Sequence, residues 1–230
     1  MAEEKKERLI ESICIDTLTG IQSNQFMGDS NKAGHDEWKD YGQSIYTLIT
    51  HIQQLGFEIV LVLGEPGVGK STGMRNLPPD SNIWFNADNK NPVWKGGREE
   101  YGKKFNPRMP FHVIPQNYGE ITGHIQEGLA GGMFAEERYA FITGHTETYK
   151  ERNGRIKVRL KVLGKMATKM QLEGKLETVL YAEVQVSGSE VKYVLHTQND
   201  GFNTARSPQG AFEPVIDNDY NFVLQTLKAY

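Results

Sequence analysis

Apolar residues occur along this chain in two patterns. Short unbroken runs come first: Ser12 to Leu18, Glu58-Ile59-Val60-Leu61-Val62-Leu63, Ile83-Trp84-Phe85, Phe111 to Ile114 and Arg138 to Thr143. Runs of this length and density predict strands buried on both faces. Between them lie helical patterns. Tyr41, Ile45, Leu48, Ile49, Ile52 and Leu55 recur at helical spacing over 38–55, which Gly56 ends, and 119–130 reads as a second helix. Residues 3–10 are charged and favour a helix. Residues 20–36 are polar and glycine-rich, centred on Met27-Gly28-Asp29-Ser30-Asn31, and read as a loop, as do 89–110. Ala130-Gly131-Gly132-Met133 reads as a linker and the segment after Thr143 as a basic loop, while 158–169 fits either helix or strand. Leu176–Val186 and Val191–Thr197 alternate as an antiparallel pair would, joined at Ser187-Gly188-Ser189. After a loop over 198–214, residues 217–229 form a helix capped by Asp217 or Asn218. Strands alternating with helices predict an α/β fold, a mainly parallel sheet covered on both faces with a small antiparallel extension near the C-terminus.

Bulk properties narrow the classes. The 230 residues suit one α/β domain with additions. A net charge of −3 gives no global attraction to nucleic acid or anionic membrane, so any such surface must be local. The single cysteine, Cys14, excludes an internal disulfide and agrees with a reducing cytoplasm. The start, Met1 to Arg8, is too charged to open a signal peptide, and no apolar stretch approaches the roughly twenty residues of a membrane span. A soluble, cytoplasmic protein without a membrane partner is expected.

The chemistry is most legible at Gly64-Glu65-Pro66-Gly67-Val68-Gly69-Lys70-Ser71-Thr72, a complete GxxxxGK[ST] phosphate-binding loop. It follows an apolar strand, and the helix expected over Ser71–Leu77 stops at Pro78-Pro79, which is the strand–loop–helix context the motif requires. The glycines let backbone N–H groups turn towards phosphate oxygens, the helix N-terminus adds its dipole, Lys70 reaches the β- and γ-phosphates, and Ser71 is placed to ligate Mg²⁺. ATP and Mg²⁺ are the expected ligands.

Hydrolysis needs more than the loop. An acid at a strand tip must hold the metal, and a polar group must position water. Asp16, ending the apolar Ile13-Cys14-Ile15 run, is the metal-side acid; its alternative is a helix N-cap. Asp88, beyond Ile83-Trp84-Phe85-Asn86-Ala87, is the candidate for activating water, with an ordinary turn aspartate as the alternative. His145, after Tyr139 to Gly144, is placed to sense the γ-phosphate; otherwise it is a structural histidine. Glu65 reads as a rim residue.

Together these pieces resemble the RecA-like ATPases, nearest to the short phage proteins of single-strand annealing and recombination. The resemblance covers most of the chain as one domain over 1–230: the phosphate loop, the strands of Asp16, Asp88 and His145, and the ending Thr204 to Glu213. It implies that Asp16 holds Mg²⁺, that Asp88 activates water and that His145 senses the γ-phosphate. It further implies single-stranded DNA as partner, self-assembly into a ring or filament, and the host cytoplasm if phage-encoded. The family usually has glutamate as its water-activating acid, where this chain has aspartate.

The order of parts departs from that family. RecA-like chains place the phosphate loop before the Mg²⁺ acid, whereas Asp16 precedes Lys70 here. Met133–Gly144 reads as a natural beginning that would lead into Glu65-Pro66-Gly67-Val68-Gly69-Lys70. The strand over 57–64 reads as one that would lead to the sensor histidine. A chain rewired at Gly64/Glu65, at 130–133 and at Gly144/His145 accounts for this, provided the two strands lie side by side and parallel.

The densest basic stretch is Lys150, Arg152, Arg155, Lys157, Arg159, Lys161, Lys165, Lys169 and Lys175, beginning where RecA-like proteins carry a DNA-binding loop. Such cations bind phosphates without regard to sequence and in a salt-sensitive manner, with Tyr149 available to stack; a solvated charged face is the bland alternative. Lys165 and Lys169 are also candidates for reaching a neighbouring subunit's ATP. Asn24, Gln25, Lys32, His35 and Trp38 match the position of a second DNA loop. The leading expectation is an ATP-hydrolysing, DNA-binding protein of recombination or annealing. The alternatives are a P-loop phosphotransferase whose lid carries Arg98, Lys103, Lys104 and Arg108, and an ATP-binding scaffold with little turnover.

Overall fold

The structure is a computed structural model that describes residues 8–28, 37–97, 112–162 and 172–230. Among the described residues nine strands form the framework: β1 (Ile10–Asp16), β2 (Phe57–Gly64), β3 (Asn82–Asn86), β4 (His112–Val113), β5 (Phe134–Lys150), β6 (Ile156–Leu160), β7 (Thr178–Ser187), β8 (Glu190–His196) and β9 (Val215–Asp217). The described α-helices are α1 (Leu18–Gly28), α2 (Glu37–Gln54), α3 (Tyr118–Ala130) and α4 (Tyr220–Ala229), with 3₁₀ turns at Ser71–Asn76 and Leu172–Lys175.

The sheet runs β4-β3-β1-β5-β2-β7-β8-β9, with β6 paired to β5 outside this path. The six strands from β4 to β7 are parallel; β8 is antiparallel to both of its neighbours, β7 and β9, and β6 is antiparallel to β5. Side-chain alternation divides the core between the two faces. Ile13, Ile15, Ile59 and Leu61 point to one side, where Ile45, Leu48 and Ile49 of α2 and Ile121 and Ile125 of α3 cover them. Cys14, Val60, Val62 and Phe141 point to the other, against Met74 and against Tyr220, Val223 and Leu224 of α4. Burial on both faces is why β1 and β2 read as unbroken apolar runs.

Several elements differ from expectation. The polar stretch after Leu18 is helix α1 to Gly28, not loop; Leu18 and Ile21 seat it on the core, and Thr17 Oγ1 accepts from Gly20 N at 3.0 Å at its start. The basic loop is a hairpin: β5 extends seventeen residues, and β6 returns along its outer half from Lys150↔Ile156 to Thr146↔Leu160. The turn after Lys70 is 3₁₀ and six residues long rather than α, because α4 crowds it from the outside. A Cβ at Gly73 would stand 2.3 Å from the Tyr220 ring. The last helix begins at Tyr220 and is capped by Asp219, whose side chain accepts from the Asn221 and Phe222 N–H groups; Asp217 belongs to β9 and Asn218 lies between them. Gly131 and Gly132 turn tightly from α3 into β5.

Two of the strands set the wiring. β2 and β5 are neighbours at the sheet centre, parallel and in register from Phe57↔Arg138 to Gly64↔His145. Their tips therefore deliver the phosphate loop and His145 to the same edge of the sheet.

Candidate nucleotide site

Four adjacent parallel strands, β3, β1, β5 and β2, reach one edge together and present there Asp88, Asp16, His145 (where β5 leaves its parallel pairing with β2) and the 64–72 loop. Register makes this convergence automatic, since Asp16 pairs with Asn86 and Gly64 with His145. Ligands of open parallel sheets bind at this edge.

Within the loop, Gly67 and Gly69 hold φ of +86° and +80°, in the left-handed region where a side chain is strained. Nothing stands within 4 Å of where a Cβ would lie at Gly67, so the loop is open to an incoming group at that point. Lys70 folds back across the loop. Its Nζ donates to Gly64 O at 2.8 Å and Glu65 O at 2.7 Å, and stands 3.4 Å from His145 Nδ1. Burial is the chief reason its pKa falls from the ordinary 10.5 to about 8, partly offset by Asp16. Burial and then the Lys70 charge likewise lower the pKa of His145, which disfavours a second cation beside Lys70 Nζ.

Asp16 is 4 % exposed and takes two hydroxyl donors, Ser71 Oγ to Oδ2 at 2.6 Å and Thr143 Oγ1 to Oδ1 at 2.7 Å. The approach of Ser71 to Asp16 joins two elements 55 positions apart and sets two hard oxygens side by side, the donor type that Mg²⁺ takes directly or through its own waters. Ser71 and Asp16 therefore fit the metal. Among the described residues no cluster of three or more His, Cys, Asp or Glu could hold a metal by protein ligands alone.

Asp88 also reaches this edge, but not as a free carboxylate. Lys90 Nζ donates to its Oδ2 at 2.6 Å.

Sequence reasoning missed the groups that brace the loop from below. Tyr220 donates its hydroxyl to Lys70 O at 2.6 Å, and Asn218 Nδ2 donates to Gly69 O at 2.6 Å. Arg75 donates to Asn218 O at 3.0 Å, and Asn76 bonds Asp219. Nothing in residues 217–220 marks them as loop supports; tertiary packing alone brings them there. Thr143, too, read only as strand.

The basic stretch forms the β5–β6 hairpin. Lys150, Arg152 and Arg155 are exposed. Lys157 and Arg159 are held within the hairpin, by Glu151 at 3.2 Å and Glu147 at 2.8 Å, and Arg159 lies over the Tyr149 ring at 4.8 Å. A cavity of about 420 Å³ lies behind them, lined by Tyr149, Arg159, Glu173, Asn199 and Arg206 among others and by no residue of the phosphate loop. Asn24 and Gln25 fall in α1 and Trp38 in α2. Lys32, His35, Arg98, Lys103, Lys104, Arg108, Lys165 and Lys169 lie outside the described residues. Among the described residues no helix is long and apolar enough to cross a membrane. Scanned against protein-family models and searched against curated proteins, the chain matches none.

Proposed function

We propose that the chain is a Mg²⁺-dependent, ATP-hydrolysing protein of RecA-like type that acts on single-stranded DNA in recombination or annealing. One observation carries the nucleotide part of this reading: Lys70, Ser71, Asp16 and His145, from distant parts of the sequence, meet at one sheet edge with Ser71 Oγ 2.6 Å from Asp16 Oδ2. Ser71 and Asp16 would hold Mg²⁺, which when bound neutralises charge on the phosphates. The loop N–H groups and Lys70 would hold the phosphates, and His145 stands where a terminal phosphate would meet it. The exposed cations of the β5–β6 hairpin support the DNA part of the reading, since they offer phosphate contacts blind to sequence. Strand exchange between β2 and β5 is the wiring we infer, because the two are parallel neighbours in register and either can feed either loop tip.

The test is ATP turnover with Mg²⁺, with and without single-stranded DNA, for the native chain and for Lys70→Ala. Turnover that DNA stimulates and Lys70→Ala abolishes supports the reading. Turnover indifferent to DNA makes this a small-molecule phosphotransferase, and binding without turnover makes it a scaffold. Turnover unchanged in Lys70→Ala refutes the site.

A further inference from the structure

The loop that follows β3 is built around a second lysine. Asn86, 1 % exposed, grips residue 90 from both sides: its Oδ1 accepts from Lys90 N at 3.1 Å and its Nδ2 donates to Lys90 O at 2.6 Å. The same Nδ2 reaches His112 Nε2 at 3.0 Å, and His112 is itself fixed by stacking on Trp84, with ring centroids 4.8 Å apart. Ala87 N donates to Asp16 O at 2.8 Å, which ties this loop to the strand of the metal-side acid. Asn89 completes the turn at a φ of +50°. The backbone of residues 86–90 is thus fixed in position beside Asp16.

Two side chains project from it as a pair. Asp88 is pressed against α1, where a Cβ at Gly20 would lie only 2.0 Å from its Oδ1, so that oxygen has no room to move towards the helix. Its other oxygen is covered by Lys90 Nζ at 2.6 Å. The Lys90 side chain is 66 % exposed against 18 % for Asp88, so the lysine is the end of the pair with room to swing.

Resting on the nucleotide reading above, we propose that Lys90 is a catalytic cation of this site, leaving Asp88 for the terminal phosphate of bound ATP and thereby freeing Asp88 Oδ2 for the attacking water. A terminal phosphate, with more charge than one carboxylate and several acceptor oxygens, outcompetes Asp88 for the ammonium. In the step that follows, the water oxygen bonds to Pγ and the bond from Pγ to the β,γ-bridging oxygen breaks. That bond's electron pair stays with the ADP leaving group, and the water proton passes to Asp88 and from there to solvent. Lys90 stabilises the negative charge on the equatorial oxygens during transfer. The same ion pair keeps Asp88 from presenting a base to water while no phosphate is there. Asn86 is the positioning residue, acting only through the backbone of Lys90.

The experiment compares the full chain with Lys90→Ala and Lys90→Arg, both on an exposed side chain, by Mg²⁺-dependent affinity for ADP and for the slowly hydrolysed analogue ATPγS, and by ATP turnover. Lys90→Ala is expected to weaken ATPγS about tenfold, to leave ADP within about twofold, and to lower turnover by about tenfold or more. Lys90→Arg, which keeps the charge, is expected to recover most of both. Equal losses for ADP and ATPγS, or ATPγS affinity and turnover within twofold of the native chain, overturn the proposal. If the native chain binds neither nucleotide, the nucleotide reading falls and takes this one with it. If it binds both and Lys90→Ala leaves them unchanged, only the role of Lys90 falls.

Discussion

Lys70 is an ammonium held by carbonyl dipoles. Among the described residues no carboxylate lies within ion-pair distance of its Nζ, and two carbonyls of its own loop accept hydrogen bonds from it. A buried cation satisfied this way is costly in the ligand-free protein, as the fall of its pKa from 10.5 to about 8 expresses. The sign follows from proton counting. Between pH 8 and 10.5 the unfolded chain binds this proton and the folded chain does not, so stability rises with pH across that window. Below 8 the cost is borne in full, about 3 kcal/mol for a shift of this size. Urea unfolding of the native chain against Lys70→Met, at pH 7.5 to 9.5 without nucleotide, should therefore show the native chain gaining on the variant as pH rises. A flat difference would mean that Lys70 keeps its charge without penalty. At this scale the sequence was legible wherever a motif fixes the residue: the GxxxxGK[ST] pattern named Lys70 and Ser71, and an apolar run ending in an acid named Asp16. The contacts of Thr143 and Tyr220 and the role proposed for Lys90 carry no such local mark, because they come from what the fold sets beside these residues.

Among the elements, α4 does the most for the phosphate loop while standing farthest from it in sequence. Its Tyr220 ring stacks on Phe141 of β5 at 4.8 Å, and its hydroxyl bonds Lys70 O, so the loop rests on a plate fixed to the sheet. That plate leaves no room at Gly73. Gly73→Ala should lower unfolding free energy by about 1–3 kcal/mol, the usual cost of overpacking a rigid contact. Gly123→Ala offers the contrast: it lies within α3 with nothing inside 4 Å, and should raise stability by about 0.5–1 kcal/mol through helix propensity alone. Thermal or urea unfolding of the two variants reads both signs, and a neutral Gly73→Ala would show that α4 does not press on the loop. Strands β1, β2, β7 and β8 were legible because burial on both faces, or alternation in an antiparallel pair, writes itself into residue type. Helix α1 was not: Gly20, Ser23, Asn24 and Gly28 show no amphipathic stripe, and the helix exists because Leu18 and Ile21 pack against the core. The outer half of β5 was hidden for a related reason. Beyond Gly144 its side chains are polar, and only pairing with β6 makes it strand.

For the molecule as a whole, the net charge of −3 means that attraction to a polyanion has to be local, and the hairpin is the place we propose for it. Counting cations along the sequence overstates it, since alternation along paired strands also sets Lys157 beside Glu151 and Arg159 beside Glu147. Pairs like these contribute little counterion release, because each cation has an anion in reach already. Within the hairpin, the exposed cations stand at the tip, Lys150, Arg152 and Arg155, on and beyond the same strand that carries His145 to the nucleotide edge. One continuous strand therefore connects the proposed DNA contact with the proposed phosphate sensor, a direct route by which occupancy of one could bias the other. Three contacts on single-stranded DNA predict that log affinity falls with log salt at a slope of about −2, from about 0.7 per contact. Replacing Lys150, Arg152 and Arg155 by glutamine should flatten that slope nearly to zero and remove DNA stimulation of ATP turnover, while turnover without DNA stays as it was. Fluorescence anisotropy on a labelled oligonucleotide at several salt concentrations measures the slope directly. A steep slope that survives the triple substitution would move the DNA surface away from the hairpin, and with it the link between strand β5 and nucleotide turnover.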